Sequence, residues 1–286
     1  MTAPTGAPAP RTAPPGRYQL AAQLRLLGVR PGQLLLVHAA LGGTGLRAET
    51  LRDALLGVLG PRGTLLVPAF TAENSLTSTA HLARVAGLDE VQAAAFRARM
   101  PPFDPDLTPS QDVGVFAEVV RTTPGAARSG HPQTSFAALG ADAHRLCAGH
   151  RTESHLGEDS PLGKLCWEGG RVLMINVGFS ACTAFHLAEY RIPKPPLRMY
   201  DCVVKVNLPE GRPDGRPGGR EKGHPHEGEW KTYEDVALDD GDFEEIGRAF
   251  PDALVRGGRV GGAPAAFFSI PHAVDHAQAW MTENRC

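Results

Sequence analysis

The sequence is short of the features that mark several large classes of protein. It has no basic excess: 29 Lys and Arg stand against 31 Asp and Glu, for a formal net charge of -2. A surface that grips nucleic acid through its phosphates carries the opposite balance, so no nucleic-acid partner is expected. No apolar run approaches the roughly 18 residues that a membrane-spanning helix needs, so no membrane partner is expected either. Cysteine is sparse, and Cys147, Cys166, Cys182, Cys202 and Cys286 are odd in number and far apart. That spacing argues against a secreted disulfide framework and against a zinc ribbon. What is there is a chain of 286 residues whose apolar share, 42%, can fill a sizeable core. The expectation is a soluble cytoplasmic protein; composition leaves its oligomeric state open.

Two segments are poor in core-forming residues. Residues 1–16 are mostly Ala, Pro, Thr and Gly, with prolines at Pro4, Pro8, Pro10, Pro14 and Pro15. They read as a flexible tail, and no apolar stretch after Met1 suggests a signal peptide. The segment from Pro209 to Gly228, rich in Gly, Pro and both charges, reads as an exposed loop because apolar patterning resumes on both sides. Residues 17–286 therefore read as a single domain. Within it Gln33–Val37, Thr64–Val67 and Arg171–Val177 are short, nearly continuous apolar runs bounded by Gly or Pro, as buried strands are. Thr50 with Asp53 predicts a capped helix start that buries Leu51, Leu55 and Val58. Phe243, Ile246, Phe250 and Leu254 follow the helical period, and Pro271 opens a last helix with Val274, Ala277 and Met281 inward. Strands alternating with helices predict an α/β layered domain.

The most informative segment is Asn176–Glu189. A strand is expected to end at Val177, Gly178 to permit a sharp turn, and a helix to begin near Ala181. Helical spacing then sets Cys182, Thr183, His186 and Glu189 on one side. A carboxylate beside an imidazole fixes its tautomer and raises its basicity, which suits a general base. Free N–H groups at the helix start, with the Thr183 hydroxyl, suit a developing oxyanion. A plain surface His–Glu pair fits the same spacing. So does a Cys182 nucleophile with His186 as its base, or a metal bound by His186 and Glu189, for which His224 and His226 are the nearest further ligands.

Three further segments carry weaker signals. Arg128–Gly140 mixes a cation, hydroxyls and His131 in a Pro-interrupted turn, the materials of an anion-binding loop or of a structural turn. Val37–Gly45 is a strand running into a Gly-rich loop that matches neither the dinucleotide fingerprint nor the Walker A pattern. Glu234, Asp235, Asp239, Asp240, Asp242, Glu244 and Glu245 form an acidic run that would be a solvated face or would attract a polycationic ligand.

Taken in order, these segments resemble the aminoglycoside 3-N-acetyltransferase family, which is distinct in fold from the GNAT acetyltransferases. The similarity runs through Leu24–Gly32, Leu36–His38, Gly63–Pro68, Phe103–Pro109, Arg128–Phe136, Asp159–Leu165, the Thr183/His186/Glu189 set and the region after Val260. It implies a mixed β-sheet layered with helices, acetyl-CoA as co-substrate with no metal, and acetyl transfer to an amine of an aminoglycoside by direct attack. Carried over by position, His186 is the general base, Glu189 orients it, and Thr183 sits near the thioester carbonyl. His38, the glycines Gly42, Gly43 and Gly45, and Ser129, His131 and Ser135 are expected on the CoA side. Asp159 and Asp235 are expected to face the amine. The sequence departs from the family in Ala39 and Ala40, where serines often follow the histidine. Residues 72–101, including the Ala-rich Val91–Phe96, have no assigned role. Other readings are acylation of a different amine in natural-product assembly, a Cys182-dependent ping-pong transferase, and a noncatalytic module for cationic sugars.

Overall fold

Nearly continuous apolar strands arise where a sheet is covered on both faces, and the architecture follows from that rule. The computed structural model describes residues 14–205 and 228–285; most of the expected tail, nearly all of the 209–228 loop, His224 and His226 lie outside them. The strands are β1 (Leu34–Ala39), β2 (Thr64–Pro68), β3 (Ala127–Arg128), β4 (Phe136–Gly140), β5 (Arg171–Ile175), β6 (Leu197–Lys205), β7 (Gly228–Val236), β8 (Arg256–Val260) and β9 (Ala263–Ser269). Seven of them form one mixed sheet in the order β3-β4-β2-β1-β5-β9-β8, and β6 with β7 forms a separate antiparallel ribbon. Strand β1 runs parallel to both β2 and β5, whereas β4 and β9 are antiparallel to their neighbours.

Helices α1 (Arg17–Leu27), α2 (Ala48–Leu59), α3 (Thr79–Val85), α4 (Glu90–Arg97), α5 (Gly114–Arg121), α6 (Ala143–Cys147), α7 (Pro161–Trp167), α8 (Ala184–Glu189), α9 (Phe243–Ala249) and α10 (Ile270–Asn284) complete the layers. Alternation along β1 divides the core. Leu35 and Val37 pack with Leu24, Leu51 and Phe116 of α1, α2 and α5 on one face. Leu36 packs with Leu165, Phe185, Phe243 and Val274 on the other. By the same alternation His38 belongs to the face that carries α8. The 72–101 segment supplies α3 and α4, the latter closed by a capping box between Asp89 and Gln92.

Three local expectations need correction. Helix α2 starts at Ala48 after an uncapped Arg47, because the buried side chains of Leu46 and Ala48 fix the entry and leave Thr50 inside the first turn. Helix α9 stops at Ala249, since Pro251 forces Phe250 into extended backbone (φ -68°, ψ 127°); Leu254 falls in a separate short turn and is exposed. Strand β5 ends at Ile175 because Asn176 turns left-handed at φ 56°. Helix α10 behaves as expected, with Pro271 in its first turn and Val274, Ala277 and Met281 buried.

Candidate active site

Strands β1 and β5 are parallel neighbours, and the chain leaves β1 toward α2 on one face of the sheet and β5 toward α8 on the other. Such a switch point opens a crevice beyond the carboxyl ends of the strands. A cleft of about 410 Å³ lies there, lined by His38, Ala39 and Ala40 after β1, Pro68 and Phe70 after β2, and Val177 after β5. Asn176 shapes its floor, since its side-chain amide donates to the Ala40 carbonyl at 2.8 Å. The turn is therefore made at Asn176. Gly178 is extended (φ -87°, ψ 177°), and a Cβ there would lie 3.0 Å from the Glu244 carboxylate, so close approach is what the glycine provides.

Thr183 and His186 line the same cleft. The His186 Nδ1 lies 2.7 Å from Glu189 Oε2, and its ring packs on Phe243 with centroids 4.6 Å apart. Glu189 is almost wholly buried, and its other oxygen accepts from the Asp239 N–H at 2.9 Å and from the Arg285 guanidinium at 2.7 Å. A carboxylate oxygen on Nδ1 holds the proton there and leaves the Nε2 lone pair free to act as a base. His38 is buried, burial pushes its pKa down to about 4, and among the described residues its Nε2 has no hydrogen-bond partner. It is a neutral imidazole at the cleft wall.

Cys182 does not share that face. It precedes α8, is fully buried in the core, and burial pushes its thiol up to about 12. The reason is that a three-residue turn, Phe179–Ala181, comes before the helix and breaks the helical phase. The same turn consumes N–H groups expected to be free, since Cys182 donates to Phe179 O and Thr183 to Ala181 O. Among the described residues no three His, Cys, Asp or Glu side chains gather as a metal set does.

Other expected residues stand apart from the cleft. Gly42, Gly43 and Gly45 occupy an exposed turn after β1, with Gly43 and Gly45 left-handed at φ 73° and 74°. Ser129, His131 and Ser135 have no exposed surface, and protein groups take up their polar atoms. The Ser135 hydroxyl donates to the Ala69 carbonyl at 2.7 Å and accepts from Arg128 at 3.0 Å. Ser129 bonds His150, while His131 accepts from the N–H groups of Gln133 and Thr134. This segment is a clasp that fixes the exit of β2 beside the cleft. Asp159 is exposed and pairs loosely with Arg151 at 3.7 Å. Asp235 is buried and faces inward, accepting from His155 and from the Tyr190 hydroxyl, each at 2.7 Å, and from the Val236 N–H.

The carboxylates that do line the cleft are Asp112 and Asp240, and no Lys or Arg accompanies them among the described lining residues. Asp240 was visible in the acidic run. Asp112, at φ 57° just before α5, was missed; an Asp two residues ahead of Gly114, in a residue type that tolerates left-handed backbone, is its only sequence signal. Ser180 and Phe70 were also missed, because they reach the cleft through turns whose geometry depends on the whole sheet.

Comparison with known proteins shows the family and the fold. The family model for aminoglycoside 3-N-acetyltransferase matches residues 36–282. The SPbeta prophage-derived aminoglycoside N(3')-acetyltransferase-like protein YokD of Bacillus subtilis is 32% identical over 96% of this chain and 94% of its own length. Its crystal structure superposes with a TM-score of 0.83, 30% identity and 96% of each chain covered. AAC-IIIb in its binary complex with CoASH gives a TM-score of 0.75 at 29% identity, covering 94% of this chain and 97% of that one. AAC-VIa bound to sisomicin gives 0.76 at 28%, covering 94% and 98%. With that match across most of its length and a shared mixed α/β fold, the chain belongs to the aminoglycoside 3-N-acetyltransferase family.

Proposed function

We propose that this enzyme moves the acetyl group of acetyl-CoA onto the 3-amino group of an aminoglycoside by direct attack, with His186 as general base, and so confers resistance. The carrying observation is the Glu189–His186 pair, 2.7 Å apart, on the wall of the cleft at the sheet's switch point. Related structures bound to CoASH and to sisomicin support the two substrates. The amine nitrogen attacks the thioester carbonyl as the C–N bond forms. His186 Nε2 takes the proton that the nitrogen sheds, the C–S bond breaks, and the proton passes to the departing sulfur. Thr183 is the hydroxyl nearest in sequence to that base and donates to the carbonyl oxygen as charge builds there. Asp112 and Asp240 attract the polyamine, although the same field favours the protonated ammonium, so the base is needed at the moment of attack.

A second reading keeps the chemistry and changes the acceptor to another amine. It is favoured by the positions of Asp159 and Asp235, which leave the acidic wall of the cleft to Asp112 and Asp240. Mass spectrometry of an aminoglycoside mixture after incubation with acetyl-CoA separates the two. One added acetyl per product, lost in Asp240→Asn at low substrate concentration, supports the first. An inert panel alongside an acetylated non-aminoglycoside amine supports the second.

A further inference from the structure

Glu189 can orient His186 only if its own charge and rotamer are fixed, and the groups that fix them come from outside α8. Its carboxylate is buried, so an unpaired charge there is costly. On the side away from the active cleft lies a second hollow of about 400 Å³, lined by Glu189, Ile192, Lys194, Pro196, Ala237 and Arg285. Arg285 follows α10 and spans this gap. One guanidinium nitrogen donates to Glu189 Oε1 at 2.7 Å, Nε donates to Asp242 Oδ2 at 2.7 Å, and the third nitrogen reaches the Asp239 carbonyl at 2.7 Å and Asp242 Oδ1. Asp239 also gives its N–H to the same Glu189 oxygen. Both carboxylate oxygens are thus engaged, one by the imidazole and one by Arg285 and Asp239, and the group cannot rotate off the ring. The same guanidinium braces the turn that carries Asp240 into the cleft.

Resting on His186 as the base, we propose that Arg285 is a positioning residue of the transfer reaction. It holds the Glu189 side chain on His186 Nδ1 and, through Asp239 and Asp242, fixes the turn that sets Asp240 in the cleft wall. A positioned histidine base contributes about 10²–10⁴-fold to turnover, and loosening its orientation forfeits part of that factor. Charged and titratable groups at the cleft and at the His–Glu pair include Asp239, Asp240 and Asp242 ahead of α9, Asp112 ahead of α5, His38 on β1, His155 and Arg285. Arg285 is the cation among them that touches the His–Glu pair.

The test compares Arg285→Met, Arg285→Lys and His186→Ala in the full chain, with kcat and KM measured for acetyl-CoA. Nitrogen NMR of histidine-labelled protein reads the His186 tautomer independently of turnover. Arg285→Met is expected to lose part of the base's contribution, about 10–100-fold in kcat, with KM for acetyl-CoA within about twofold. The His186 tautomer should become mixed, and Arg285→Lys should recover part of each change. Wild-type kcat and an unchanged tautomer in Arg285→Met, beside an inactive His186→Ala, overturn the proposal and leave the base intact. Full activity in His186→Ala overturns both. If Arg285→Met does not fold, Asp242→Asn replaces it by freeing the guanidinium from its far anchor. A fall in kcat at unchanged KM then supports the proposal, and wild-type kcat overturns it.

Discussion

Replacing Cys182 with alanine, beside His186 with alanine, distinguishes direct attack from a ping-pong route through an acyl-cysteine. The thiol is fully buried and its pKa is pushed to about 12 by that burial, so near neutral pH it stays protonated. A nucleophile so scarce and so enclosed cannot meet a pantetheine thioester in the cleft, whose lining does not include it among the described residues. The expected cost of Cys182→Ala is the loss of one packed sulfur, about 1 kcal/mol in stability, with kcat within about twofold of the parent. His186→Ala should lower kcat by at least about 10²-fold; it should also cost about 1–3 kcal/mol in stability, because one oxygen of the buried Glu189 loses its partner while the other keeps Arg285 and Asp239. The assay is release of CoA thiol from acetyl-CoA with an aminoglycoside acceptor, joined to intact-protein mass after a rapid quench. A folded but inactive Cys182→Ala, together with an acetylated wild-type protein before acceptor is added, refutes the reasoning.

Two other outcomes follow from the packing. Burial holds His38 and His150 near pKa 4 and His131 well below its ordinary value, so between about pH 6.5 and 4 the unfolded chain binds protons that the folded one does not. Stability is then complete above about pH 6.5 and falls as the pH is lowered, by up to about 3 kcal/mol for each of His38 and His150; a melting temperature that stays flat from pH 7.5 to 5 contradicts this. A Cβ on Gly247 of α9 would meet the Phe179 ring at 2.1 Å. Gly247→Ala should therefore destabilise by about 1–3 kcal/mol and, because Phe179 opens the turn that lines the cleft, reduce kcat as well, both read from a thermal melt and a rate assay.

How much of the molecule was legible in the chain depended on how local the determining interaction is. The runs that became β1, β2 and β5 announced themselves because a strand covered on both faces needs apolar residues throughout. The His186–Glu189 pair was legible because three residues along a helix always share a side. Cys182 was misplaced by the same rule, since one short turn ahead of α8 changed the phase. Ser129, His131 and Ser135 looked like a binding loop because polar residues beside Pro and Gly look alike whether they face a ligand or the protein's own carbonyls.

Sequence by itself determined the layered α/β class, the helical His–Glu unit and the family, all of which rest on short-range periodicity or on the order of motifs. Only the tertiary structure decided that β1 sits between two parallel partners, that Asp240 rather than Asp235 reaches the cleft, and that Arg285 closes on Glu189 across 96 positions of chain. Those contacts arise from how strands are ordered and how distant segments dock, and no local pattern of residue types encodes that.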